Sequence, residues 1–266
     1  MPFIKVNDIK MYYEVHGEGF PFVMIMGLTA NVDWWDAPTI EKLSKFYKVI
    51  IFDNRGAGRT DKPKMDYSIK LFADDTIELM KALKIQKTHM FGISMGGMIA
   101  QELALNYPKQ VEKLILCATH CGLSKTILAS PEVMEVLTKS RANPTPEEIA
   151  KDTIPLLYPK DFIEKNPDLI KDSLEMMTKH PIPLFAYQLQ LAAIMKFDAC
   201  RRIKKLNKST LIIHGTKDIL IPTGNAHILE KRIPNAKKIL IDGAGHGLVR
   251  QEPEILTRLM LEFLES

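Results

Sequence analysis

Gly92-Ile93-Ser94-Met95-Gly96 is the stretch on which the reading of this chain turns. Thr88-His89-Met90-Phe91 before it reads as a short strand, and the sequence from Met98-Ile99-Ala100 onward reads as a helix. A serine on that strand-to-helix corner sits in a strained turn with its hydroxyl held above the sheet edge. Glycines on either side leave room where larger neighbours would clash. A G-x-S-x-G pattern alone is modest evidence. Two later residues strengthen it: Asp218 follows one apolar run and His246 follows the last, giving the chain order Ser, Asp, His.

Working outward, residues 23–26, 49–52, 114–117, 211–213 and 239–241 are apolar throughout. Continuous runs of that length suit parallel strands covered on both faces. Between them, Ile69, Phe72, Thr76, Leu79, Met80 and Leu83 recur at helical spacing. Ile255, Leu256, Leu259, Met260 and Phe263 do the same, with Pro253 suited to a first helical turn. Residues 3–6 and 10–15 alternate instead around Asn7-Asp8, a hairpin signal. The pattern predicts an α/β fold with a small antiparallel start leading into a parallel sheet. Residues 122–200 break the rhythm, holding eight of the sixteen prolines and helix-period pieces at 131–141, 146–157 and 161–179. The expected organisation is a core from 1–121 and 201–266 with a helical cap, 122–200, over the sheet edge where such sheets bind ligands. A plain connecting domain is the competing view.

Composition excludes more than it assigns. The chain has 266 residues, 46% hydrophobic and 26% charged, which allows a sizeable core. Its net charge of +4 is spread along the chain without a basic block, so neither nucleic acid nor a membrane surface is an expected partner. Cys117, Cys121 and Cys200 form no C-x-x-C pair, and reduced thiols are expected, with Cys117 a small core residue. No signal-peptide pattern and no uninterrupted 18-residue apolar segment occurs, so a cytoplasmic location is expected.

Ser94 is a poor nucleophile until a base takes its proton. His246, in the loop Gly243-Ala244-Gly245-His246-Gly247, is the best candidate of seven histidines because glycines let the ring swing towards the site. His89 enters a strand, His180 lies among cap prolines, and His214 is better suited to bracing its loop. His120 ends a strand where it can line the site without being the base. Asp218 would orient the imidazole and stabilise its charged form; Asp242 and Asp198 are the rivals. An oxyanion would find the Met95 N–H at the start of the helix and the Leu28 N–H in Met26-Gly27-Leu28, although such a loop also serves packing alone. Trp34, Trp35, His120, Met134 and Phe185, with Met176, Met177 and Met195, suit an apolar pocket, and equally a layer holding cap to core. Gly56-Ala57-Gly58 lacks the third glycine and the helix of a nucleotide loop, and reads as a tight turn. No cofactor and no metal are expected.

These motifs, in this order, resemble the α/β-hydrolase superfamily across nearly the whole chain. The likeness includes the Asn54-Arg55-Gly56-x-Gly58 loop after the fourth strand and the insertion after the sixth. It is most similar to small capped carboxylesterases, with enol-lactonases, carbon–carbon bond hydrolases and perhydrolases as relatives. The resemblance implies a mostly parallel eight-stranded sheet with helices on both faces. It also implies an acyl-enzyme mechanism on a small-to-medium hydrophobic ester. Met26 stands where members commonly carry a histidine, which blurs the subgroup, whereas a serine at 94 argues against the aspartate-nucleophile dehalogenases and epoxide hydrolases. A carbon–carbon hydrolase, a lactonase, a perhydrolase and a slow or non-catalytic ligand receptor remain alternatives. The expected partner is a small-molecule ester, with a homodimer left open.

Overall fold

The computed structural model describes residues 3–139 and 144–266. The elements run β1 (Phe3–Val6), β2 (Ile9–His16), β3 (Phe20–Ile25), α1 (Ala37–Ser44), β4 (Tyr47–Phe52), α2 (Ile69–Ala82), β5 (Thr88–Ile93), α3 (Met95–Asn106) and β6 (Val111–Cys117). Five helices follow: α4 (Pro131–Thr138), α5 (Pro146–Leu157), α6 (Lys160–Lys165), α7 (Pro167–Lys179) and α8 (Leu184–Lys196). The chain then returns through β7 (Thr210–Gly215), α9 (Gly224–Arg232), β8 (Ala236–Ile241), α10 (Leu248–Gln251) and α11 (Pro253–Glu265).

The described residues form one eight-stranded sheet in the order β1-β2-β4-β3-β5-β6-β7-β8. The β1–β2 and β2–β4 pairs are antiparallel and every other pair is parallel, as the opening hairpin and the later apolar runs require. Side chains alternate between two cores. Val23, Ile25, Met90, Leu114, Leu116 and Ile212 meet α2, α3 and α9 on one face. Phe22, Met24, Phe91, Ile115 and Ile213 meet α1 and α11 on the other. Covering both faces explains the unbroken apolar runs, each buried large side chain contributing about 1.5–3 kcal/mol. After β3 the chain moves outward to β4, then crosses back so that β5 also pairs with β3. The loops leaving β3 and β5 therefore stand side by side at a topological switch point, the usual ligand position in such sheets.

Several boundaries differ from the sequence reading, each for a local reason. Helix α3 begins at Met95, three residues before Met98, although Gly96-Gly97 is a poor helical pair by propensity. Close packing overrides that preference: a Cβ on Gly97 would lie 2.7 Å from the Thr119 side chain. The stretch 161–179 is two helices, because Pro167 disfavours helical geometry at Asn166, which has φ −129° and ψ 54°. Helix α8 has no counterpart in the sequence reading, since its apolar residues are spread round the helix without a stripe. Of the stretch 131–141, residues 140 and 141 lie outside the described residues.

The expectation of reduced thiols is corrected for two cysteines. Cys121 and Cys200 form a disulfide, while Cys117 is a free, buried thiol. The pairing follows from the way the cap is rooted. Its first and last residues run antiparallel, joined by a bridge between Gly122 and Asp198 and by the Ala199 N–H donating to the Cys121 carbonyl at 2.7 Å. Cysteines 79 residues apart in sequence are thus neighbours in space. Among the described residues no helix is long and apolar enough to cross a membrane.

Candidate active site

Ser94 has φ 55° and ψ −121°, a conformation that costs a residue with a side chain about 1–3 kcal/mol and persists only when its surroundings impose it. They do so through the backbone. The Ser94 N–H donates to the Cys117 carbonyl (2.9 Å), and the Ser94 carbonyl accepts from the Gly97 N–H (2.9 Å) and the Thr119 hydroxyl (2.8 Å). The flanking glycines permit close approach. A Cβ on Gly92 would stand 2.2 Å from the Gly96 carbonyl oxygen, and one on Gly96 would stand 2.1 Å from that of Ile25.

Asp218 and His246 arrive from the loops after β7 and β8. Asp218 is buried, with Oδ1 accepting the Leu220 (3.0 Å) and Ile221 (2.8 Å) N–H groups. Its Oδ2 lies 2.8 Å from His246 Nδ1. Burial pushes the Asp218 carboxyl up, but His246 and His214 outweigh it and hold the group at about 2. An ionised Asp218 accepts a proton-bearing Nδ1, which leaves His246 Nε2 with its lone pair. Asp242 instead accepts from Thr216 (3.0 Å), and Asp198 accepts the Cys200 N–H (2.9 Å). His214 does more than brace its loop. Its Nε2 lies 2.7 Å from the Ile221 carbonyl and 3.2 Å from Asp218 Oδ2. Both are acceptors, so that nitrogen carries a proton and His214 supports the acid directly.

Ser94 and His246 open onto one cavity of about 650 Å³ between the sheet edge and the cap, sharing it without a hydrogen bond between their side chains. The loop after β3 closes against the serine: a Cβ on Gly27 would meet Ser94 Cβ at 3.0 Å and Oγ at 3.5 Å. Asn54 holds that loop by donating to the Met26 carbonyl at 3.0 Å. Leu28 lines the cavity beside it, and Met95 starts α3, where the first N–H groups of a helix have no acceptor within the helix. Asp53 ties the same loops together, accepting the Val32 and Arg59 N–H groups at 2.7 Å each. Arg55 is fully buried between Asp75 and Asp8. The Asn54-Arg55-Gly56-x-Gly58 turn is therefore structural.

The pocket residues divide. Trp34, His120 and Met134 line the cavity, as do Met177 and Met195. Trp35 does not: it is buried beneath the site with its ring edge against Phe91 at 5.7 Å. Phe185 also lies off the cavity, its ring under the Lys64 ammonium at 5.1 Å, because α8 turns Leu184 and Tyr187 inward instead. Met176 packs on Arg250, whose Nη1 lies 3.5 Å from the sulfur. His120 accepts the Gly122 N–H at Nδ1 (3.0 Å), so its proton sits on Nε2, and burial reinforced by His246 lowers it to about 4. His89 is remote, tilted against Phe20 and edge-on to Tyr47, whereas His180 lines the cavity 3.6 Å from Asp33. Sequence reasoning passed over Arg250 and Tyr158, which also line the cavity. The available signal was an arginine four residues after His246.

The arrangement matches known proteins as a whole. The family model described as alpha/beta hydrolase fold matches residues 21–253. The chain is 26% identical over 263 residues to a putative carbamate hydrolase RutD of Azorhizobium caulinodans, covering 99% of this chain and 98% of that one. Among solved structures, an esterase of Thermogutta terrifontis superposes with a TM-score of 0.85 at 26% identity, covering 99% and 97% of the two chains. The enol-lactonase of Burkholderia xenovorans superposes with a TM-score of 0.86 at 24% identity, covering 100% of each. With the sheet order, the serine turn and the family match in agreement, this chain belongs to the α/β-hydrolase family.

Proposed function

We propose that the protein is a serine hydrolase acting on small-to-medium carboxylic esters, with Ser94 as nucleophile, His246 as general base and Asp218 as the acid that orients it. One observation carries the reading. A serine strained at φ 55° and an imidazole bound to a buried carboxylate at 2.8 Å face the same cavity. Ester rather than other hydrolytic chemistry is supported by the largely apolar cavity wall and by the likeness to an esterase.

In the proposed cycle, Ser94 Oγ attacks the ester carbonyl carbon while its proton passes to His246 Nε2. The negative oxygen is met by the Met95 and Leu28 N–H groups, and the α3 N-terminus adds its dipole. The C–O bond to the alcohol breaks and the alcohol leaves with the proton from His246. Water then gives a proton to His246, attacks the acyl-enzyme, and releases the acid as Ser94 regains its proton. Asp218 holds the imidazole in the required tautomer throughout.

The test is hydrolysis of p-nitrophenyl esters from two to twelve acyl carbons by the wild type beside Ser94→Ala. The expected outcome is one chain-length optimum and a loss in kcat on the order of 10⁴-fold or more in the variant. Near-normal turnover by a folded Ser94→Ala protein would overturn the assignment.

A further inference from the structure

Among the described residues, the cavity wall is apolar except for hydroxyls, histidines, the Trp34 indole and one arginine. Among the described residues, no Asp, Glu or Lys lines it, and Arg250 is the lining residue with a permanent charge. His120 sits at about 4, and burial with Arg59 nearby holds His180 below the ordinary histidine range. The two guanidinium groups most withdrawn from water near the site have carboxylates: Arg55 has Asp75 and Asp8, and Arg59 has Asp33. Arg250 has none within ion-pair distance among the described residues. Its partners are the Met176 thioether at 3.5 Å and the neighbouring Tyr158 hydroxyl, and its Nε is buried without a hydrogen-bond acceptor. A thioether and a phenol are weak partners that leave the charge uncompensated. Holding such a cation partly out of water is unfavourable unless an anion joins it.

Arg250 lies in α10, four residues after His246, and touches Met176 of α7 and Tyr158 just beyond α5. The cation therefore stands on the imidazole side of the cavity, beneath α5 and α7. A planar guanidinium suits a carboxylate, which it can engage through two parallel hydrogen bonds. We infer that the substrate is an ester carrying its own carboxylate, and that Arg250 selects it by receiving that group while the ester carbonyl lies at Ser94. The inference rests on the ester-hydrolase reading, and it narrows that reading from small-to-medium esters in general to half-esters of dicarboxylic acids and compounds of like charge.

The experiment compares monomethyl esters of four- to eight-carbon dicarboxylic acids with their uncharged monoamides by pH-stat at pH 7.5, in wild type, Arg250→Met and Arg250→Lys. Wild type is expected to favour the anionic ester at least ten-fold in kcat/KM at its best chain length, mainly through KM. Arg250→Met should bring the ratio near one, and Arg250→Lys should restore part of it, which a merely structural arginine would not do. A second readout is independent of turnover: calorimetric binding of monomethyl adipate to Ser94→Ala, lost in Ser94→Ala/Arg250→Met. No charge preference in wild type, or a preference unchanged in Arg250→Met, overturns the inference while serine-dependent hydrolysis of neutral esters would leave the parent reading standing. Arg250-dependent binding without turnover of any ester would instead uphold the anion site and reject the ester chemistry.

Discussion

The sheet edge and the cap meet at the same cavity but are built on opposite plans. At the sheet edge, position is fixed by backbone: Ser94 is held through its own N–H and carbonyl, and glycines admit contacts no side chain would allow. Charges there are matched, as Arg55 and Asp53 illustrate. In the cap, side chains make the surface. Helices α4, α5, α7 and α8 turn Met134, Leu157, Met177 and Tyr187 towards the cavity, and their own buried cluster is small. On the proposed reading the difference separates two tasks: the core would set what reaction occurs, and the cap with Arg250 which molecule undergoes it.

The largest effect should come from the core. Asp218→Asn keeps the shape of the acid but no longer fixes the imidazole tautomer, so kcat is expected to fall about 10⁴-fold for every ester, long or short. A steady-state series across chain lengths checks this; a loss confined to one length would erase the division between core and cap.

The boundary between the regions should show itself in acid. His120 sits at the root of the cap with its value lowered from 6.5 to about 4, first by burial. A histidine kept neutral in the fold contributes fully above about 6.5, and that contribution is lost as pH falls through about 4. The expected loss is about 3 kcal/mol across the window. His120→Gln keeps an acceptor for the Gly122 N–H and should flatten the stability profile between these limits in urea titrations. An unchanged slope would remove His120 from the account.

The smallest effect concerns the clamp between the regions. Gln190 of α8 is fully buried, accepts the Thr29 N–H and donates to the Arg55 carbonyl, both at 2.9 Å. Gln190→Ala should cost about 1–3 kcal/mol in thermal unfolding, since the buried Arg55 carbonyl and the part-buried Thr29 N–H lose their partner. A cost near zero would mean the cap is held by apolar contact alone.

Much of the core was legible from the chain because its signals are local. Doubly covered strands read as apolar runs, and the serine turn advertises itself through Gly92 and Gly96. Asp218 and His246 could be chosen because each follows a strand into a loop at the same sheet edge. The cap hid more. Helix α8 lacks a stripe, and Pro167 cuts a helix whose periodicity continues across the break. Whether Trp35 or its neighbour Trp34 faces the cavity depends on a short 3₁₀ turn (Val32–Trp34), which periodicity does not resolve. Arg250 gave only its place four residues after His246, because its meaning lies in what is missing around it, which only three dimensions reveal.

The Cys121–Cys200 bond has a consequence for how the molecule tolerates damage. Treated as a graph of covalent links, the chain from 121 to 200 is a closed ring hung from the core rather than a stretch of the main path. A protease that cuts one exposed cap loop opens the ring but leaves residues 1–121 and 200–266 a single connected body. Ser94, Asp218 and His246 would stay on one covalent piece with the nicked cap still attached at both ends, and the fragments would part only when the sulfurs are reduced.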